Sequence, residues 1–186
     1  MHVNDTNFAI VERLAHWQAA VNMANAHPVF GVGFGNYEAA YDDYRLIKWQ
    51  YALGHAHMIY LNVLAETGAL GLAAYLILWG AIFAITLRAT DLSGLNRALA
   101  IGLLGAWTHL ATHQLLDNLY VGNIPLLIGA LLGVLCILAT REPPLDIPPT
   151  AFAYRFYNVA KETVTLDGGE VMTVYGLLQS FMLLLA

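Results

Sequence analysis

Three long apolar stretches, separated by short segments that carry the charges, constrain the fold of this chain more than any other feature. A helix that crosses the bilayer core needs about 20 mostly apolar residues. The stretches cover approximately residues 69–87, 98–116 and 121–140. Charged residues make up only 11% of the chain, whereas a soluble domain has about 25%. We therefore predict an all-α fold, a polytopic transmembrane helix bundle with an external helical segment before the first span.

The arginines predict which side of the membrane each loop occupies. Arg88 and Arg97 bound the loop after the first span, and Arg141 follows the third. Such basic positions favour the cytoplasmic side. The segment before the first span is acidic on balance, so we place it outside, together with the loop 113–123. The net charge of −5 excludes a nucleic-acid partner, which needs a basic face.

These patterns divide the chain into three parts. Residues 1–57 are predicted to form an external amphipathic-helical segment, 58–140 the transmembrane bundle, and 141–186 a linker and C-terminal tail. The linker begins with EPPLDIPP, whose prolines lack the backbone donor that helices and strands need. The apolar stretch 171–186 fits either a partial further span or an amphipathic tail.

The external segment begins with a predicted amphipathic helix that ends at His27-Pro28, because the residue before proline avoids the helical region. Arg13 lies at the edge of its apolar stripe, and His16 is predicted to point away from it. Arg13 fits two roles, a side chain lying along the apolar face or a guanidinium that binds an anionic group. The stripe consists of Ile10, Leu14, Trp17 and Val21.

A glycine-rich turn follows this helix. Gly31, Gly33 and Gly35 allow tight backbone geometry, and their amides could cradle a phosphate. The spacing does not match the dinucleotide-binding fingerprint. Asn36 is predicted to cap a short helix over residues 37–45.

His55 and His57 stand directly before the long apolar region. A zinc site needs three or four ligands, and no third ligand lies nearby in sequence. A neutral imidazole can take up a proton near neutral pH, so a general base is the better functional role for this pair. The non-catalytic alternative is a polar cap where the helix meets the lipid headgroups.

Three further ionisable residues, His109, His113 and Asp117, recur at intervals of four and share one helix face. Ionisable groups within a span usually face the bundle interior or a polar cavity. They fit either an interhelical hydrogen-bond stripe or a membrane metal site, and the adjacent histidines typical of histidine-box oxidases do not occur here.

An ordered series of residues resembles the O-antigen ligase and polymerase family of bacterial membrane proteins over about residues 12–140. The late motif HQLLD, residues 113–117, also resembles this family. Met58 departs from the small polar residue that usually follows the family's histidine. The series consists of Arg13, Trp17, Pro28, Gly31, Gly33, His55, His57, Tyr60, Leu61, Glu66, Gly68 and Gly71.

The resemblance implies a metal-independent glycosyltransferase without a cofactor, in the bacterial cytoplasmic (inner) membrane. Such an enzyme moves a glycan from a polyprenyl-pyrophosphate carrier to a hydroxyl of a lipid or glycan acceptor on the outer face. It implies that His57 and Arg13 are catalytic, with Arg13 on the pyrophosphate. We expect substrate binding by other residues on the same face, namely Arg45, His55, Gly31, Gly33 and Asp117.

Family members have about twice as many spans, so the resemblance implies the C-terminal half of a larger enzyme, with a partner N-terminal membrane half, or a truncated gene product. A second class of function also fits the sequence, a non-catalytic membrane protein that serves as a remnant, a scaffold or a lipid-glycan binder.

Overall fold

The computed structural model describes residues 4–141, 163–165 and 171–173. Within these ranges the chain forms five helices joined by turns and loops, and two three-residue strands that pair antiparallel, with Val164 opposite Met172. The predicted linker and tail, 141–186, lie outside the described residues except for Arg141 and these strands. The helices are α1 (Phe8–Ala26), α2 (Tyr37–Tyr44), α3 (Ile59–Ala89), α4 (Gly94–His113) and α5 (Ile124–Ala139), and the strands are β1 (Thr163–Thr165) and β2 (Val171–Thr173).

The described residues fall into two compact units. The first comprises the chain up to Trp79 together with Thr112–Val121, and the second contains Gly80–Ala111 and residues from Gly122 onward. The second unit has a core in which Leu87 and Leu104 are buried and the indole N–H of Trp107 donates to the hydroxyl of Thr86 at 3.0 Å. All candidate site residues discussed below, except His109, belong to the first unit.

In the first unit, α1 packs on α2 through small residues rather than through its predicted apolar stripe. Ile10 is 60% exposed and Leu14 46%, whereas His16, predicted to point away, is 1% exposed. Alanines on the buried face let the tyrosines of α2 approach closely. Ile10 and Leu14 are left on the outside, whereas Trp17 and Val21 of the stripe are partly buried. The core consists of Ala19, Ala20, Met23, Tyr37, Tyr41, Ala56 and Ala65.

A break at Gly68 divides α3 into two helical parts, residues 59–67 and 69–89. Gly68 has φ 66° and ψ −168°, a conformation that glycine adopts readily and other residues do not. The glycine-rich loop packs into this break: Ala69 N donates to Pro28 O at 2.8 Å and Gly33 N to Glu66 O at 2.9 Å. A side chain on Gly31 or Gly68 would collide with the facing backbone. The glycines therefore serve the close approach of loop and helix.

Among the described residues, one helix is long and apolar enough to cross a membrane, α3. Its second part, residues 69–89, starts where the first predicted span starts. The helices near the other two predicted spans are α4, which ends at His113, and α5, which is apolar but has 16 residues. The helical class is thus confirmed for residues 4–141, while the three-span bundle stays a prediction.

Candidate active site

His57 is held in an unusual backbone conformation. Its φ is +52°, a region sparsely populated by residues other than glycine. Trp17 Nε1 donates to the carbonyl oxygen of His57 at 3.3 Å, and the amide of His57 donates to Nδ1 of His55 at 3.1 Å. Asn62 Oδ1 accepts the intervening amide of Ala56 at 3.0 Å. Trp17 of α1 and His55 of the loop thus bond both backbone polar groups of His57, and Asn62 of α3 holds the residue before it. Strained backbone that is held by its surroundings is common at functional sites.

Asp117 stands within reach of both predicted catalytic residues. Its Oδ1 lies 3.7 Å from Nδ1 of His57, and its Oδ2 lies 3.9 Å from Nη2 of Arg13. Both separations are too long for direct hydrogen bonds. The side chains of Arg13 and Asp117 are 46% and 35% exposed, so the guanidinium remains open to solvent beside the carboxylate. The structure therefore brings together a cation, a carboxylate and an imidazole that are up to 104 positions apart, 117 − 13.

The loop that carries Asp117 is fastened to α3 on both sides of the carboxylate. Before it, the backbone oxygen of Gln114 accepts from Ile59 N at 3.2 Å, and its Oε1 accepts from the Tyr75 hydroxyl at 3.0 Å. After it, the hydroxyl of Tyr120 lies 3.0 Å from that of Tyr75 and accepts from Trp79 Nε1 at 3.2 Å. These contacts determine the position of Asp117 relative to α3.

Directly around the aspartate, the loop is stabilised by local side-chain contacts. Asp117 Oδ1 accepts the amide of Asn118 at 2.7 Å, and Asn118 Oδ1 accepts the amide of Tyr120 at 3.0 Å. The second bond reaches the amide two residues on and forms an Asx turn, which holds a loop in one conformation without regular secondary structure. Asp117 Oδ1 is therefore engaged by Asn118, and Oδ2 is the oxygen directed at Arg13.

His16 lies behind His57 and was missed as a site residue. Its ring stacks on Tyr41 with a centroid separation of 4.9 Å and meets the ring of His57 edge-on at 5.3 Å. Its Nδ1 lies 3.2 Å from the Tyr37 hydroxyl, which donates to the His16 carbonyl oxygen. Because that hydroxyl donates to the carbonyl, it accepts from the ring, which places the proton of His16 on Nδ1. The apolar periodicity of α1 predicted an exposed position for His16, because the residue lies on the face opposite the apolar stripe.

Burial makes two of the three clustered histidines weak bases. It lowers the pKa of His16 to about 4, assisted by repulsion from His57 and His55. Burial and His57 also lower the pKa of His55, against the opposing effect of Asp117. Both rings are therefore neutral at pH 7. His57 is 20% exposed, and its Nε2 is buried without a hydrogen-bond partner, so Nδ1 is the nitrogen on the side of Asp117.

Glu66 caps the N-terminus of α2, a role that its position in the sequence did not indicate. Its carboxylate accepts the amides of Gly35 at 3.0 Å and Tyr37 at 3.2 Å, at the N-terminus of α2. A carboxylate is favoured at a helix N-terminus, where amides lack partners. Asn36, predicted as the cap, makes no capping bond and instead donates its side-chain amide to Val32 O at 3.3 Å.

The glycine amides are already bonded within the chain. Gly31 N donates to His27 O, and Gly33 N donates to Glu66 O, each at 2.9 Å. A phosphate would have to displace these bonds to be cradled as the sequence suggested. The substrate-binding role predicted for Gly31 and Gly33 accordingly gains no support from the amide geometry.

Arg45 occupies the C-cap position of α2, apart from the group around Asp117. Its Nε donates to Asp42 Oδ1 at 2.8 Å and its Nη1 donates to Ile47 O at 3.2 Å. The guanidinium thus fastens the end of α2 to the next loop. A substrate role for Arg45 stays a prediction.

One potential metal-ligand group occurs in the described part of the chain, formed by His55, His57 and Asp117. The alternative predicted on His109, His113 and Asp117 does not form such a group there. The third ligand to the histidine pair comes from 60 positions away, 117 − 57, which sequence spacing could not indicate. The donor set is a poor fit to zinc as folded. Nδ1 of neutral His55 accepts the His57 amide, so its proton is on Nε2 and its lone pair is engaged.

A comparison with protein-family models matches residues 2–76 to the model described as O-Antigen ligase. This match confirms the resemblance to the O-antigen ligase family over the segment that contains Arg13, the glycine-rich loop, His55 and His57. It ends inside α3, so Asp117 lies beyond it. No curated protein and no solved structure matches the chain. Membrane association is favoured by this likeness and by the long apolar helix α3.

Proposed function

We propose that this chain is a membrane glycosyltransferase, or the C-terminal half of one, that transfers a glycan from a polyprenyl-pyrophosphate carrier to an acceptor hydroxyl on the outer face of the bacterial cytoplasmic membrane. The observation that carries the proposal is that Arg13 and His57, both within the segment that matches the O-antigen ligase model, approach the same carboxylate, Asp117, which lies beyond that segment. An anion-binding cation beside a base suits displacement of an anionic leaving group by a neutral hydroxyl.

In this reaction, His57 is the general base. Its Nδ1 takes the proton of the acceptor hydroxyl while the oxygen forms a bond to the anomeric carbon of the donor sugar. The bond between that carbon and the pyrophosphate oxygen breaks, and the electron pair leaves with the pyrophosphate. Asp117 is placed to stabilise the imidazolium, because its Oδ1 lies 3.7 Å from Nδ1. General-base assistance typically contributes about 10²–10⁴-fold.

Arg13 holds the charge that develops on the pyrophosphate. Its guanidinium can offer two parallel N–H donors to phosphate oxygens, which the compact ammonium of lysine cannot. At 3.9 Å from Nη2, the Asp117 carboxylate does not occupy the guanidinium donors at hydrogen-bond distance. An incoming pyrophosphate can therefore bind without breaking a strong ion pair.

The test is a transfer assay with the full chain in membranes and a polyprenyl-pyrophosphate-linked glycan as donor, run with and without EDTA. We expect His57→Ala to lower the rate of transfer by about 10²–10⁴-fold. His27→Ala is the matched control, since this exposed histidine contacts Tyr44 and lies outside the cluster. Unchanged transfer by His57→Ala, or transfer that EDTA abolishes in the wild type, would refute the mechanism.

The same assay tests Arg13. We expect Arg13→Lys to be nearly as damaging as Arg13→Ala, because a point charge cannot replace the bidentate fork. Arg88→Lys, at the far end of α3, serves as the control for loss of an arginine. Full transfer by Arg13→Lys would favour the alternative role, a side chain that only lies along the apolar face.

A further inference from the structure

The glycine-rich loop carries exposed apolar side chains that the proposed reaction does not use. Phe34 is 88% exposed, Phe30 75% and Val29 48%. We call this group of two phenylalanines and one valine the aromatic tip, after its two most exposed members. The segment PVFGVGFG that contains them has no charged residue. Contiguous exposed apolar groups of this kind indicate a surface that is covered by something apolar.

Backbone hydrogen bonds fix the level of the aromatic tip relative to α3. Ala69 N donates to Pro28 O at 2.8 Å and Leu70 N to Val29 O at 3.4 Å. These are the first residues of the apolar part of α3, residues 69–89, the one described segment suited to cross a bilayer. Leu70 is itself 57% exposed. The tip thus continues the surface of the span at the point where the span begins.

The loop backbone is also suited to an apolar surrounding. Val32 N donates to Ala65 O and Gly33 N to Glu66 O, each at 2.9 Å, and Gly31 N donates to His27 O. Amides that are satisfied within the chain need no water, so these three bonds lower the penalty for placing the loop at the hydrocarbon boundary. The glycines permit this because they let the loop lie directly on the α3 backbone.

We propose that the aromatic tip inserts into the bilayer leaflet at the residue-69 end of the apolar part of α3 and contacts phospholipid acyl chains. Aromatic and apolar side chains at the start of a span commonly occupy the interfacial region. A lipid surface is favoured over a protein partner because the tip is continuous with the span and uncharged. Insertion fixes the depth of the adjoining helix α1, which carries Arg13. It does not depend on the proposed transfer reaction.

The test measures lipid contact directly. Cys136 is replaced by alanine, and a single cysteine at Phe30 or Phe34 is labelled with an environment-sensitive fluorophore in the full chain. The protein is reconstituted in phosphatidylcholine–phosphatidylglycerol vesicles. We expect a blue-shifted emission and quenching by nitroxide placed high on the acyl chain. Glu38→Cys, exposed on the neighbouring α2, is the matched control and should be quenched by aqueous iodide instead.

A second measurement keeps both phenylalanines. The label is placed at Val29, and lipid quenching is compared with that of the same variant carrying Phe30→Ser and Phe34→Ser. Insertion driven by the tip predicts that the serine pair reduces lipid quenching and increases iodide quenching. Iodide quenching at Phe30, Phe34 and Val29 equal to that at Glu38 would overturn the proposal, whether or not the protein transfers glycans.

Discussion

At the scale of single residues, the strained backbone of His57 allows a test of whether its imidazole serves the reaction or the stability of the fold. A non-glycine residue at φ +52° carries local strain, on the order of 1–3 kcal/mol. Leu53 shares this feature at φ +50° but is 47% exposed. Leu53 therefore provides a comparison position with a similar positive φ that is not among the candidate site residues.

We expect His57→Asn to keep the melting temperature close to that of wild type while transfer is lost, because asparagine tolerates left-handed backbone better than most residues. Leu53→Gly should raise stability by up to about 1 kcal/mol with transfer unchanged. Thermal unfolding in detergent and the transfer assay check both variants. A large fall in the melting temperature of His57→Asn would identify the imidazole as a packing residue.

His16 predicts a pH dependence of stability. Its pKa is about 4 in the folded chain, below the value of about 6.5 expected when unfolded. Between these values the unfolded chain binds the additional proton, so stability is complete above about pH 6.5 and declines as the pH falls towards 4. The loss approaches about 3 kcal/mol at 1.36 kcal/mol per pKa unit.

We expect the melting temperature to fall between pH 7 and pH 4.5 in the wild type and to fall less in His16→Phe. Phenylalanine keeps a ring for stacking on Tyr41 but cannot take up a proton. The comparison is made by thermal unfolding at several pH values. An equal decline in both proteins would assign the acid sensitivity to other groups.

At the scale of elements, the break in α3 joins the apolar helix to the external segment. The helix leaves its regular path at Gly68, and the glycine-rich loop occupies the break through bonds to both sides of it. The Glu66 carboxylate, the contacts to the glycine-rich loop and the start of the apolar part of α3 consequently share one short stretch of helix. Because of the break, Glu66 can bond the N-terminus of α2 while Ala69 bonds the glycine-rich loop.

We expect Gly68→Ala to destabilise the first unit by about 2 kcal/mol or more, because a Cβ there meets the Val29 backbone and φ is +66°. Gly80→Ala is the matched control, since it lies in the same helix with open space around the added methyl group. Alanine in a helix interior is preferred over glycine by about 1 kcal/mol. Thermal unfolding compares the melting temperatures of the two variants. Equal changes would show that the loop can move away from the added methyl group at little cost in free energy.

At the scale of the whole molecule, the predicted membrane orientation follows from whether α3 crosses the bilayer. If α3 crosses the bilayer, its two ends lie on opposite sides, with the Arg88–Arg97 loop in the cytoplasm. We expect Asp43→Cys to react with an impermeant thiol reagent on intact cells and Ser93→Cys to react only after permeabilisation, both with Cys136 replaced. The opposite labelling pattern would invert the orientation.

Local patterns predicted the helices well. The first helix ends at Ala26, directly before His27-Pro28, and α2 covers Tyr37–Tyr44 against the predicted 37–45. Proline geometry, glycine and apolar runs act on neighbouring residues, so their consequences can be derived from sequence. The start of the apolar part of α3 at residue 69 was predictable for the same reason.

The sequence by itself thus determined the helical class, the apolar span and, through family resemblance, the candidates Arg13 and His57. Only the tertiary structure decided that Asp117 faces both of them, that His16 lies buried behind His57, and that Glu66 caps α2. These contacts join residues 29 to 104 positions apart, 66 − 37 and 117 − 13. No local propensity encodes such pairs, because they form only when close packing of alanines and glycines brings the helices and the loop together.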